Sequence, residues 1–148
     1  LESHVLFDIL PDDIATPEQI VTYQKVYRPG EKAVKGATEF TAPKTVRVSA
    51  NRPAKGDTLH LHFVNYNRTE PAKPKSAGGG IHDEKPISVS GIQCAVPLPQ
   101  GSKLKAARFF TPEKESAMEL QVKIRGDKAR FTLPQFLVYG VAELEWSQ

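Results

Sequence analysis

The chain has 148 residues, 39% of them hydrophobic and 25% charged, with a formal net charge of +3 at pH 7. That balance describes one globular domain, with or without an appendage, large enough to bury a core unaided. It excludes a disordered chain, a helix crossing a membrane (no apolar run nears about 20 residues) and an all-cysteine zinc site, because Cys94 is the only cysteine.

The 20 basic and 17 acidic residues are interleaved, with no run of five like charges. This predicts a solvated mixed surface and no nucleic-acid partner. No segment has the layout of a secretory signal. The chain opens at Leu1 and its one methionine is Met118, so we expect a processed product or a piece of a longer protein. A single cysteine leaves the redox compartment open.

Twelve prolines and ten glycines favour short elements joined by turns. Residues 1–30 read as a strand-helix-strand appendage. Val5 to Leu10 is a short apolar run, and Thr16-Pro17-Glu18-Gln19 is a helix start with a threonine cap and proline at the first position. Residues 31–44 are polar and read as a linker. The period becomes two from Thr45. Val46 and Val48 alternate with Arg47 and Ser49; Leu59, Leu61 and Phe63 share one face of the next strand. Residues 68–86 form a long loop. At Gly91 the apolar phase shifts from Ile87 and Val89 to Ile92, Cys94 and Val96, which predicts a β-bulge. Leu104 to Phe110 is a further strand. Met118, Leu120, Val122 and Ile124 predict one strand with a single wet face. Gly126-Asp127 is a hairpin turn from which Ala129, Phe131 and Leu133 return. Residues 136–146 are apolar on both faces at first, as in a central strand. The whole is an all-β antiparallel sandwich over residues 45–148, immunoglobulin-like or jelly-roll-like.

Several constellations bear on chemistry. His60 and His62 project from one face of a strand, and His82 in the long loop supplies a third imidazole for a metal; the alternative is hydrogen-bonded histidines on a half-buried strand. Gly78-Gly79-Gly80 lacks the Lys-Ser/Thr and the helix that a phosphate cradle needs. Cys94 falls on the apolar parity of its strand, where a thiol is inert. Glu143 and Glu145 share a face, read as a solvated edge. Tyr66, Asn67 and Trp146 are candidates for stacking and bonding a sugar, although Trp146 also has the parity of core residues.

The stretch Leu59-His60-Leu61-His62-Phe63-Val64-Asn65-Tyr66-Asn67, then Val96-Pro97-Leu98-Pro99-Gln100-Gly101, then Ala129 to Pro134 leading into Leu137-Val138-Tyr139-Gly140-Val141-Ala142-Glu143-Leu144, resembles the C-terminal β-sandwich domains of large glycoside hydrolases of the β-galactosidase and α-fucosidase kinds. The resemblance covers about residues 45–146 and lies in fold-maintaining positions, among them the asparagine at a strand end. Phe7 to Pro29 resembles part of the amidotransferase-like α/β domain that precedes such a sandwich. The catalytic carboxylates of those enzymes sit in a separate barrel, so the resemblance implies no catalytic residue and no cofactor here.

The expected function is therefore a non-catalytic accessory domain of a carbohydrate-active enzyme, with a structural or domain-packing role. Its expected partner is the parent's catalytic or intermediate domain, with no nucleic acid and no membrane, in the periplasm or outside the cell. One alternative is a carbohydrate-binding module that holds a glycan through Tyr66, Asn67 and Trp146. Another is a small metal-dependent enzyme using His60, His62 and His82.

Overall fold

A computed structural model describes residues 16–17, 38–53, 56–69 and 84–147. Nine strands are described: β1 (Glu39–Thr41), β2 (Val46–Asn51), β3 (Thr58–Asn65), β4 (Gln93–Pro97), β5 (Lys103–Phe110), β6 (Met118–Glu119), β7 (Lys123–Arg125), β8 (Lys128–Thr132) and β9 (Tyr139–Ser147). They form a four-stranded sheet in the order β1-β4-β8-β7 and a five-stranded sheet in the order β2-β3-β9-β5-β6. Every pairing is antiparallel. The expected all-β sandwich is therefore observed. The strand-helix-strand appendage lies outside the described residues apart from Thr16 and Pro17. β1 falls inside the stretch read as a linker; its three residues pair with Ala95, Cys94 and Gln93 at the edge of the four-stranded sheet.

Alternation in the sequence becomes two faces. On β3, Leu61, Phe63 and Asn65 are buried while His60, His62 and Val64 look outward. On β9, Gly140, Ala142, Leu144 and Trp146 are buried and the odd-numbered neighbours look outward. The core joins both sheets: Val46, Leu61, Phe63, Phe109 and Leu144 from one meet Cys94, Val96, Ala129 and Phe131 from the other. Phe40 of β1 meets Phe63 of β3 edge-on at 6.0 Å, and Phe136 bridges toward Phe63 and Phe109 at 6.5 and 5.7 Å. Each such ring taken from water stabilises the fold by about 1.5–3 kcal/mol.

The Gly126-Asp127 hairpin forms as expected: Arg125 faces Lys128, and Gly126 at φ 63° takes the left-handed first position of a two-residue turn. β9 lies third of five strands, a central position as its apolar start predicts.

Three local readings are corrected. First, Gly91 marks no bulge. Val89 pairs Phe136 and Gln93 pairs Thr132, so Ser90-Gly91-Ile92 faces an equal stretch, Leu133-Pro134-Gln135. Gly91 at φ 72° lies opposite Pro134, which has no N–H to donate, and inward parity changes on both chains together. The register shift is instead at Lys105, between Leu104 and Ala106. Second, Met118 to Ile124 is not one strand. Its start pairs with β5 in one sheet and its end with β8 in the other. The switch leaves Ile124 on an edge, 51% exposed. Third, Glu143 and Glu145 lie on the central strand of their sheet and not at an edge.

Candidate functional site

The chemistry-bearing side chains gather on the outer face of the five-stranded sheet. Cross-strand register sets His60 of β3 against Glu143 of β9, Glu143 against Arg108 of β5, and Arg108 against Glu119 of β6. The contacts follow: His60 Nε2 lies 3.2 Å from Glu143 Oε2, Arg108 donates to Glu143 Oε1 at 3.1 Å, and its Nε is 3.5 Å from Glu119. Lys105 and Glu145 make a looser pair at 3.7 Å. Glu143 thus spends both oxygens on cationic or N–H partners. A carboxylate held this way is a structural acceptor.

One row away, His62 Nδ1 and the Tyr139 hydroxyl are 2.6 Å apart, with the two rings inclined by 24°. Tyr139, Val141 and Phe110 then form an apolar strip. Together with the loop from Thr111 to Ala117 they line an open depression of about 260 Å³. Phe110 is 41% exposed, Val138 38% and Tyr139 37%.

The structure separates the expected sugar-binding residues. Trp146 is 3% exposed, in the core beneath the Arg52 guanidinium, whose carbon is 5.1 Å from the ring centroid. Its faces are covered, so it offers no stacking platform; its burial follows from its even parity with Leu144. Tyr66 is the most exposed large aromatic described, at 57%, and lines a shallow depression with Lys44, Thr45 and Arg47. Asn67 is half-buried and tied down by its backbone: its N–H donates to Asn65 Oδ1, and its carbonyl accepts from Ile87 N–H.

His60 and His62 do share the outward face of β3, but each has a separate partner, Glu143 and Tyr139. His82 and Gly78 to Gly80 lie outside the described residues. Among the described residues no group of three or more His, Cys, Asp or Glu side chains could hold a metal ion. Cys94 is buried, and burial pushes its thiol up to about 12.

The sequence did not display the polar anchor Asn65. It sits on the inward parity of β3, 2% exposed. Its amide donates to the carbonyls of Ile87 and Leu137 at 2.8 and 2.7 Å. It thereby joins the end of β3 to the two segments entering the Val89–Phe136 bridge. The resemblance marked this asparagine as fold-maintaining, and its geometry agrees.

No protein-family model and no curated protein matches the chain. Among solved structures the sandwich fold recurs within carbohydrate-active enzymes. It is similar to part of α-L-fucosidase isoenzyme 2 from Paenibacillus thiaminolyticus, with 19% identity and a TM-score of 0.57, covering 76% of this chain and 16% of that one. It is also similar to part of a cycloisomaltooligosaccharide glucanotransferase from Paenibacillus sp., solved with cycloisomaltoheptaose: 17% identity, TM-score 0.50, 72% of this chain and 16% of that one. The chain thus spans about a sixth of each enzyme. At these identities the likeness shows the fold alone.

Proposed function

We propose that the chain is a non-catalytic accessory module of a carbohydrate-active enzyme, packed against a catalytic or intermediate domain of the same protein. The observation that carries this reading is the strip of Phe110, Tyr139 and Val141 beside the ion-paired row of the same sheet, its two rings each more than a third exposed. Clustered exposed rings of this kind mark a contact surface. The recurrence of the fold as a minor part of two such enzymes supports the same reading. So do the engaged oxygens of Glu143 and the buried thiol of Cys94, which leave neither as a ready acid, base or nucleophile.

The test is turnover by the full chain on a panel of aryl glycosides and oligosaccharides, α-fucosides and α-glucans included. The reading expects no hydrolysis or transfer above the buffer rate. Turnover lost in a Glu143→Gln variant would overturn it.

A further inference from the structure

The four-stranded sheet carries a feature that the interleaved charges of the sequence conceal. In the β7–β8 hairpin, Lys123 lies opposite Arg130 and Arg125 opposite Lys128. Directly opposed residues of an antiparallel pair project to the same side. The four residues are therefore rooted at the corners of a rectangle about 5 Å across the strands and about 7 Å along them. The intervening Ala129 points the other way, into the core. Lys123, Arg125 and Arg130 are exposed and Lys128 is half-buried.

Among the described residues the acids near this face are few. Glu39 of β1 reaches over the small Ala95 of β4 to Lys128 at 3.1 Å and Arg130 at 4.0 Å. Asp127 lies in the turn. Lys123 and Arg125 take part in no ion pair among the described residues. Like charges placed directly opposite each other destabilise a sheet, and here two such pairs are adjacent. Glu39 answers only the β8 pair, whereas a polyanion laid along the hairpin would meet all four cations.

We infer that this face binds a linear anionic polysaccharide, a polyuronate or a sulfated glycan, with successive carboxylates or sulfates seated between the paired cations. The choice of a saccharide rests on the accessory-module reading above. Against single-stranded nucleic acid, the hairpin exposes no aromatic ring on which a base could stack, since its one aromatic, Phe131, is buried in the core.

The test is affinity electrophoresis of the full chain in gels containing polygalacturonate, heparin or neutral dextran, with single-stranded DNA as competitor. We expect retardation by one or both acidic polymers and none by dextran. Four cations on a flexible polyanion should lose about 50-fold in affinity between about 50 and 200 mM salt. Lys123→Gln with Arg125→Gln should weaken binding about 10-fold and halve the salt slope. Lys103→Gln with Lys114→Gln, away from the hairpin, should change neither. Because Lys123 and Arg125 hold no ion-pair partner among the described residues, their removal should not lower the melting temperature, and an unchanged melting temperature separates lost binding from unfolding. No retardation by either acidic polymer at low salt, an equal loss in the control pair, or stronger competition by DNA than by free polyuronate would each overturn the inference. Absence of binding leaves the accessory reading standing, whereas cleavage of the polymer would overturn that reading and leave the binding face intact.

Discussion

Asn65 offers the sharpest test of how the sandwich is closed. Its side chain makes three hydrogen bonds inside the fold, to Ile87 O, Leu137 O and Asn67 N–H. Asn65→Ala removes all three and adds a small cavity. At about 1 kcal/mol per bond, with two carbonyls and one N–H left for water to reach, the loss should be about 3 kcal/mol. For a domain of this size that lowers Tm by about 10 °C. Asn65→Asp separates geometry from chemistry. It keeps the shape but places a carboxylate oxygen where an N–H₂ had faced two carbonyls. Repulsion and desolvation then favour the protonated acid in the folded state, raising its pKa above the unfolded value. The sign follows from linkage: the folded state binds the extra proton, so the variant gains stability as pH falls through that raised pKa. At pH 7 Asn65→Asp should therefore be less stable than Asn65→Ala, and the gap should narrow toward about pH 4. Urea unfolding followed by Trp146 emission at both pH values measures this. An Asn65→Ala loss below about 0.5 kcal/mol, the usual range of a surface change, would refute the reasoning. So would a gap that does not respond to pH.

Three further outcomes follow from the core. A Cβ on Gly140 would lie 2.3 Å from the tip of the buried Phe109 ring, so Gly140→Ala should cost about 3 kcal/mol in a urea melt, with much of it recovered in combination with Phe109→Leu. Burial raises the Cys94 thiol from 9.0 to about 12, so its contribution to stability is complete below pH 9.0 and is lost as pH rises toward the folded value. Stability should consequently fall more steeply above pH 9 in the wild type than in Cys94→Ala, and a thiol reagent should label only the unfolded chain. Trp146, the only tryptophan, is buried, so its emission should be blue-shifted and unchanged by neutral oligosaccharides; quenching by one of them would contradict the covered ring.

The sequence displayed which residues face inward far better than which strands meet. Period-two alternation placed Leu61, Phe63, Cys94, Phe131 and Leu144 in the core because burial on one face is a local property of a strand. The Gly126-Asp127 turn was legible because a two-residue hairpin requires a residue tolerant of positive φ. The transfer of Met118 to Arg125 from one sheet to the other was not legible, since alternation continues through the crossing. The same limit concealed the ion-paired row of the five-stranded sheet. Glu143 meets His60 and Arg108 only through non-local register, while the pairing of Lys123 with Arg130 follows from the two-residue turn once its strands are drawn opposite each other. For Trp146, offered both as a sugar platform and as a core residue, the parity shared with Leu144 was the better guide, and β3 and β5 flank its strand.

The central claim, that this sandwich serves a neighbouring domain and performs no reaction itself, is tested most directly by co-purification. The chain would be presented, as a separate polypeptide, to any other domains encoded in the same open reading frame. The account predicts that these include a glycoside-processing domain that binds the chain, and that Phe110→Ser with Tyr139→Ser abolishes binding while leaving the circular dichroism spectrum unchanged. Accompanying domains of unrelated chemistry, or binding indifferent to those two rings, would contradict it.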